Sequence, residues 1–231
     1  MKKLILYIIF ILFAFNAYSQ NFNLNANAGY GTFYLSDLKN FQKDITFSTP
    51  INEKTVIEFP GNFYYSFSTD FKIKKQHIFG LDFSYYTTGA RNHIADYSGE
   101  YKLDMIVKGY DLSAHYKRLL TSISKLDLYF QFNIGVIFSS LNILEEFEIY
   151  NVTTTSSENN LKGTSFIVEP RIVLNYPVYK SILLNLNLGF EGGLNSKLYN
   201  TEDNTELEFN GNNVRMNWSG IRSSIGLSYS F

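Results

Sequence analysis

The ionisable residues that could do chemistry in this chain recur with one spacing. Asp70, Lys72, Asp82, Asp111, His115, Lys117, Asp127, Glu169, Arg171, Glu191 and Arg222 all fall on one parity of segments that otherwise alternate polar with apolar. The opposite parity carries only Arg118, at a segment end where a long side chain can snorkel. Charges gathered on one face of a narrow structure must pair, because desolvation leaves an unpaired buried ion at a cost of several kcal/mol. Glu169, Arg171, Glu191 and Arg222 fall at similar height on three successive segments, so an Arg–carboxylate cluster is expected there. Such a cluster can be a structural plug, or a gate for ions that opens when its pairs exchange partners.

Other chemistry is sparse. His93, Asp96 and Ser98 lie close together and could serve a lipid-modifying site, although proximity in one loop is a weak pattern against a solvated loop. Glu145, Glu146 and Glu148, or Glu202, Asp203 and Glu206, could hold calcium weakly, but acidic runs are more often solvated faces. The chain has no cysteine, which removes disulfides, thiolate metal sites and thiol nucleophiles together. It has no Gly-rich phosphate loop, HExxH run or EF-hand spacing, so no cofactor, no metal and no enzymatic activity are expected. A formal net charge of -1 without a basic stripe argues against nucleic acid as a partner.

The elements that must position these charges are strands. Segments of period two run over 22–35, 62–73, 78–88, 101–118, 126–141, 164–176, 182–194 and 214–231. The seventh is the clearest, with Ile182, Leu184, Leu186, Leu188 and Phe190 set against Asn185, Asn187, Gly189 and Glu191. Long connections at 36–61, 89–100, 142–163 and 195–213 alternate with short ones at 74–77, 119–125 and 177–181. In a closed meander that alternation sends long loops to one rim and short turns to the other, the pattern of outer-membrane barrels. The charge-free parity is crowded with Phe and Tyr, too bulky for the interior of an eight-stranded soluble barrel but suited to lipid. The expected fold is therefore all-β, an eight-stranded antiparallel up-and-down transmembrane β-barrel. Eight strands leave a lumen just filled by side chains, which argues against a general diffusion pore.

Two segments break phase, the fourth at Gly109 and the eighth near Gly220, and a glycine beside a phase slip suggests a β-bulge. Pro170 falls on the lipid parity of the sixth segment, where it would cost a ladder bond and could mark another local bulge.

Met1-Lys2-Lys3, an apolar run from Leu4 to Phe15 and small residues at Ala17 and Ser19 make a secretory signal peptide over 1–19. The apolar run is too short to span a bilayer as a helix. The barrel domain is then 20–231. The chain closes on Leu227, Tyr229 and Phe231 at alternate positions. A terminal Phe in such a row resembles the signal read by the outer-membrane barrel assembly machinery. Together with the export signal and the loop alternation, the chain resembles the small outer-membrane β-barrels of Bacteroidota, porin-family barrels similar in architecture to the transmembrane domain of outer membrane protein A. The resemblance implies a bacterial outer-membrane location, lipid as surroundings and the assembly machinery as a partner during biogenesis; with no peptidoglycan-binding domain after Phe231, a cell-wall tether of that kind is not expected. It also implies a structural or surface-interaction role through four long extracellular loops, toward an extracellular or envelope partner. A narrow channel for small solutes is the first alternative and a lipid-modifying enzyme the second.

Overall fold

A computed structural model describes residues 21–48, 59–74, 76–194, 196–209 and 211–231. The expected export signal and its cleavage point lie outside the described residues. Eight long strands follow one another: β1 (Phe22–Gly31), β2 (Asn62–Lys74), β3 (His77–Ala95), β4 (Gly99–Ile123), β5 (Leu126–Ile149), β6 (Thr153–Tyr179), β7 (Ile182–Gly193) and β8 (Gly220–Ser230). Each pairs antiparallel with its sequence neighbour, and β8 pairs back onto β1 from Asn23↔Ser230 to Gly31↔Arg222, so the ring closes without an edge. The fold is an all-β, eight-stranded up-and-down barrel.

The outer wall between the two rims is apolar. Phe63, Phe67, Leu81, Leu112, Ile134 and Phe166 all point outward and lie between 51% and 67% exposed. A barrel of soluble type would hide these side chains, whereas lipid accepts them. Aromatic rings mark both ends of the band, Phe22–Phe71 (5.0 Å) and Phe79–Tyr116 (5.0 Å) near the short turns, Tyr30–Phe63 (5.8 Å) and Tyr85–Tyr110 (5.2 Å) near the long connections.

The breaks in phase are not bulges. Strand β4 keeps one register with β3 and β5 from Gly99 to Leu119, straight through Gly109. Its inward row reads Tyr101, Leu103, Met105, Val107, Gly109, Asp111, Ser113, His115 and Lys117, all buried. What changes at Gly109 is the surroundings. Beside lipid the apolar residues point out and the polar ones in; beyond the lipid band water takes over outside, and the hydrophobic effect turns the apolar residues back toward the interior. Val214, Met216 and Trp218 obey the same rule ahead of Gly220 and Arg222. The register shifts that do occur lie between Lys72 and Lys74, Leu119 and Thr121, and Pro177 and Tyr179, at the short-turn rim. Pro170 makes no bulge either. The β6–β7 ladder passes from Val168↔Gly192 to Arg171↔Gly189 with its register unchanged, skipping Glu169 and Pro170, while Phe132↔Pro170 is kept on the β5 side.

Two of the four expected long loops are strands. Strands β3 to β6 run past the lipid band and turn at residues 96–98 and 150–152. Cross-strand ion pairs hold their water-facing side, with Arg91 on Asp104 (2.5 Å) and Lys102 on Glu146 (3.0 Å). Within the first long connection Ser36–Ser48 forms a helix, α1, which the strand-based expectation passes over. Its signal is present in the chain: Ser36 and Asp37 at the start, then Leu38, Phe41 and Ile45 on one face. Leu38 and Phe41 are buried, and Phe41 meets Phe209 of the last connection at 5.2 Å. Together α1 and the last connection lie over an apolar core formed by Leu103, Met105, Leu141, Leu161, Leu198 and Met216.

Candidate functional site: the filled lumen

Below that apolar core the barrel holds its charges. His115 on β4 stands between two carboxylates, its Nδ1 on Asp82 and its Nε2 2.9 Å from Asp70. Lys117, two positions along the same inward row, donates to both oxygens of Asp70 at 2.9 Å. The His115 ring fits because the facing β3 position is Gly80, where a Cβ would come within 2.5 Å of the imidazole. On β6, Arg171 donates through Nε (3.0 Å) and Nη2 (2.5 Å) to Glu169 and reaches Asp82 at 3.9 Å. Asn133 also donates to Glu169 at 3.3 Å. These side chains are buried, so each pair is a desolvated ion pair fixed by additional hydrogen bonds.

A second pair sits nearer the apolar core. Arg222 Nη2 donates to Glu191 Oε1 at 2.9 Å and to the carbonyl of Trp218 at 2.6 Å, and Nη1 donates to the carbonyl of Thr32. Its guanidinium lies 4.8 Å from the ring centre of Phe33 and 4.9 Å from that of Tyr86. Tyr86 donates its hydroxyl to the other oxygen of Glu191 at 3.1 Å. Trp218, fully buried, packs edge-on to Phe33 at 5.2 Å and donates to Ser139 at 2.7 Å. Gly109 makes the space for it, since a Cβ there would lie 2.8 Å from the indole.

The structure therefore places Glu169 with Arg171 and Glu191 with Arg222 as two separate pairs, with no ion pair joining them among the described residues. It adds Asp70, Asp82, His115 and Lys117 to the first. The aromatic layer of Phe33, Tyr64, Tyr86 and Trp218 goes beyond the charge pattern, and its one signal in the chain is Trp218 on the inward parity of Arg222. The row Leu227, Tyr229 and Phe231 faces outward at 55%, 49% and 40% exposure, with Tyr229 against Phe231 at 4.8 Å.

The loop residues His93 and Asp96 have separate partners. Asp96 accepts from the backbone and hydroxyl of Ser98 at 2.7 and 2.6 Å and from the backbone of Gly99 at 3.1 Å, which closes the β3–β4 turn and holds its carboxyl below the usual range. His93 points instead to Glu100 at 2.7 Å. Glu145 accepts from Tyr101 at 3.0 Å, while Glu146 pairs with Lys102 on the opposite face. Burial first, and Glu145 second, push the Tyr101 hydroxyl up. Glu206 is held down by the ammonium of Lys197. Among the described residues no three carboxylates, histidines or cysteines are grouped to hold a metal.

No known protein family and no curated protein matches the chain. Among solved structures it is similar to the outer membrane protein OprG from Pseudomonas aeruginosa, with 11% identity, a TM-score of 0.49, and coverage of 92% of this chain and 96% of that one. It is also similar to Neisserial surface protein A, at 13% identity and a TM-score of 0.45, covering 91% and 97%. The attachment invasion locus protein of Yersinia pestis gives 10% identity and a TM-score of 0.36 over 91% and 97%. At these low identities the barrel is established by this chain's own closed ladder and inverted burial pattern.

Proposed function

We propose that this chain is an integral bacterial outer-membrane protein whose barrel anchors an interaction surface rather than conducting solutes. The carrying observation is the double closure of the lumen: a layer of buried ion pairs, with Arg222 held between Phe33 and Tyr86, and above it the apolar core under α1. In this reading the long-connection end faces outside and the short turns face the periplasm. The β3–β4 and β5–β6 hairpins then carry the contact surface. Tyr97 at the first tip is 97% exposed and Val152 at the second is 76% exposed, while 153–160 of β6 is exposed along its length. An exposed aromatic and an exposed aliphatic at two adjacent tips suit a protein or envelope-surface partner better than a dissolved ion. The outward terminal row of Leu227, Tyr229 and Phe231 supports delivery by the barrel assembly machinery. The role is non-enzymatic, supported by the separate engagements of His93 and Asp96.

The test is reconstitution into planar bilayers. The purified barrel is expected to give no discrete conductance steps; regular steps altered by Arg222→Ala would favour the channel instead. Incubation with outer-membrane lipids is expected to leave lipid masses unchanged, and a mass change abolished by His93→Ala would establish the enzyme.

A further inference from the structure

We propose that the lumen binds one monovalent metal cation beside Asp111, held between the Asp111 carboxylate and the hydroxyl of Ser84. The two residues are direct partners in the β3–β4 ladder, both inward, at 0% and 1% exposure. Directly opposed positions place their Cβ atoms about 4.5–5.5 Å apart, close enough for one small ion to touch oxygens from both. The Oδ1 of Asp111 and the Oγ of Ser84 make no hydrogen bond to protein, and the other Asp111 oxygen has only Ser113 at 3.4 Å. At the same level, across Ile137, the Oγ of Ser165 is likewise buried without a partner.

The charges point the same way. Every other buried lumen carboxylate has its own cation: Asp70 has Lys117, Asp82 has His115, Glu169 has Arg171 and Glu191 has Arg222. Both ring nitrogens of His115 face carboxylate oxygens, and both can donate only from the doubly protonated ring. Asp111 is the carboxylate left over, with no ion pair among the described residues. One positive charge completes the balance. Oxygen donors without nitrogen or sulfur select a hard ion, and the single missing charge makes it monovalent.

The experiment uses the full-length mature barrel, refolded in detergent and crystallised with thallium(I) in place of sodium or potassium. The expected result is an anomalous peak in contact with Asp111 and Ser84, absent from Asp111→Asn. In solution, the wild-type unfolding midpoint should rise saturably with sodium or potassium at ionic strength held constant with choline chloride. Ser84→Ala should move the half-saturating concentration upward several-fold, and it serves as the variant if Asp111→Asn does not fold. No thallium peak in the lumen, or identical midpoints in sodium and choline, would overturn the proposal and leave a proton on Asp111.

Discussion

Replacing Glu191 or Arg222 by Gln should expose an asymmetry that the structure makes specific. Both side chains are almost completely buried and meet at 2.9 Å. Without Arg222, Glu191 keeps only the Tyr86 hydroxyl at 3.1 Å, so Arg222→Gln strands a nearly bare carboxylate and should cost about 3–5 kcal/mol. Without Glu191, Arg222 keeps three carbonyl acceptors, from Trp218, Thr32 and Ile221, and lies between two aromatic rings. Those contacts retain part of its compensation, so Glu191→Gln should cost about 1.5–3 kcal/mol, the range for one hydrogen bond to a charged group. The double variant removes the orphan left by either single change, and a coupling of about 2 kcal/mol is expected, well above the 0.3–0.5 kcal/mol scatter of independent sites. Urea unfolding of the barrel in lipid vesicles, with all four proteins in one cycle, measures it. Additive costs, or Glu191→Gln as harmful as Arg222→Gln, would refute the assigned partners.

The chain has one tryptophan, Trp218, and its burial predicts blue-shifted emission in the folded barrel that acrylamide quenches weakly; red, readily quenched emission would mean the apolar core is open. Gly109→Val should cost about 1–3 kcal/mol by driving a side chain into that indole, while Thr87→Val, outward on the neighbouring strand, should be near neutral. Removing Phe231, which is 40% exposed and rests on Phe22 and Tyr229, should leave the folded barrel's stability nearly unchanged yet reduce its level in the outer membrane, read by heat-modifiable mobility of the fractionated protein. Asp96 has a lowered pKa, so its contribution to the β3–β4 turn is present above the ordinary aspartate value and is lost as pH falls through the lowered one; protection of the Ser98 amide against exchange should vanish on that descent and be insensitive to pH in Asp96→Asn. Cysteines at Tyr97, Ser156 and Asn204 should label on intact cells and one at Gln76 should not.

The strands and their lipid-facing parity are legible in the sequence because a bilayer imposes one demand along each strand, and Phe63, Phe67, Leu81, Leu112 and Phe166 answer it without exception. Charge parity likewise identifies the lumen, since Asp70, Asp82, His115, Glu169 and Arg222 have nowhere else to go. Where the solvent outside changes from lipid to water, the same logic misleads: Leu103, Met105 and Val107 look like a phase slip at Gly109 although the inward row never shifts. The β5–β6 hairpin hides for a related reason, because 153–160 is exposed on both faces and carries no apolar alternation. Partner choice within the lumen depends on distances across the barrel, which is why Arg222 with Phe33, Tyr86 and Trp218 emerges only from the folded chain.

The inversion of polarity at the edge of the lipid band is the centre of this account, and a nitroxide scan along β4 from Tyr101 to Lys117 tests it most directly. Accessibility to oxygen, which concentrates in lipid, and to a water-soluble nickel complex would be read at each position. One unbroken alternation is predicted: odd positions shielded from both reagents throughout, even positions from Tyr110 to Tyr116 open to oxygen, and Lys102, Ile106 and Lys108 open to nickel, with Asp104 shielded beneath Arg91. An exchange of the shielded parity at Gly109, with odd positions above it becoming exposed, would contradict the continuous register and the sealed lumen that depends on it.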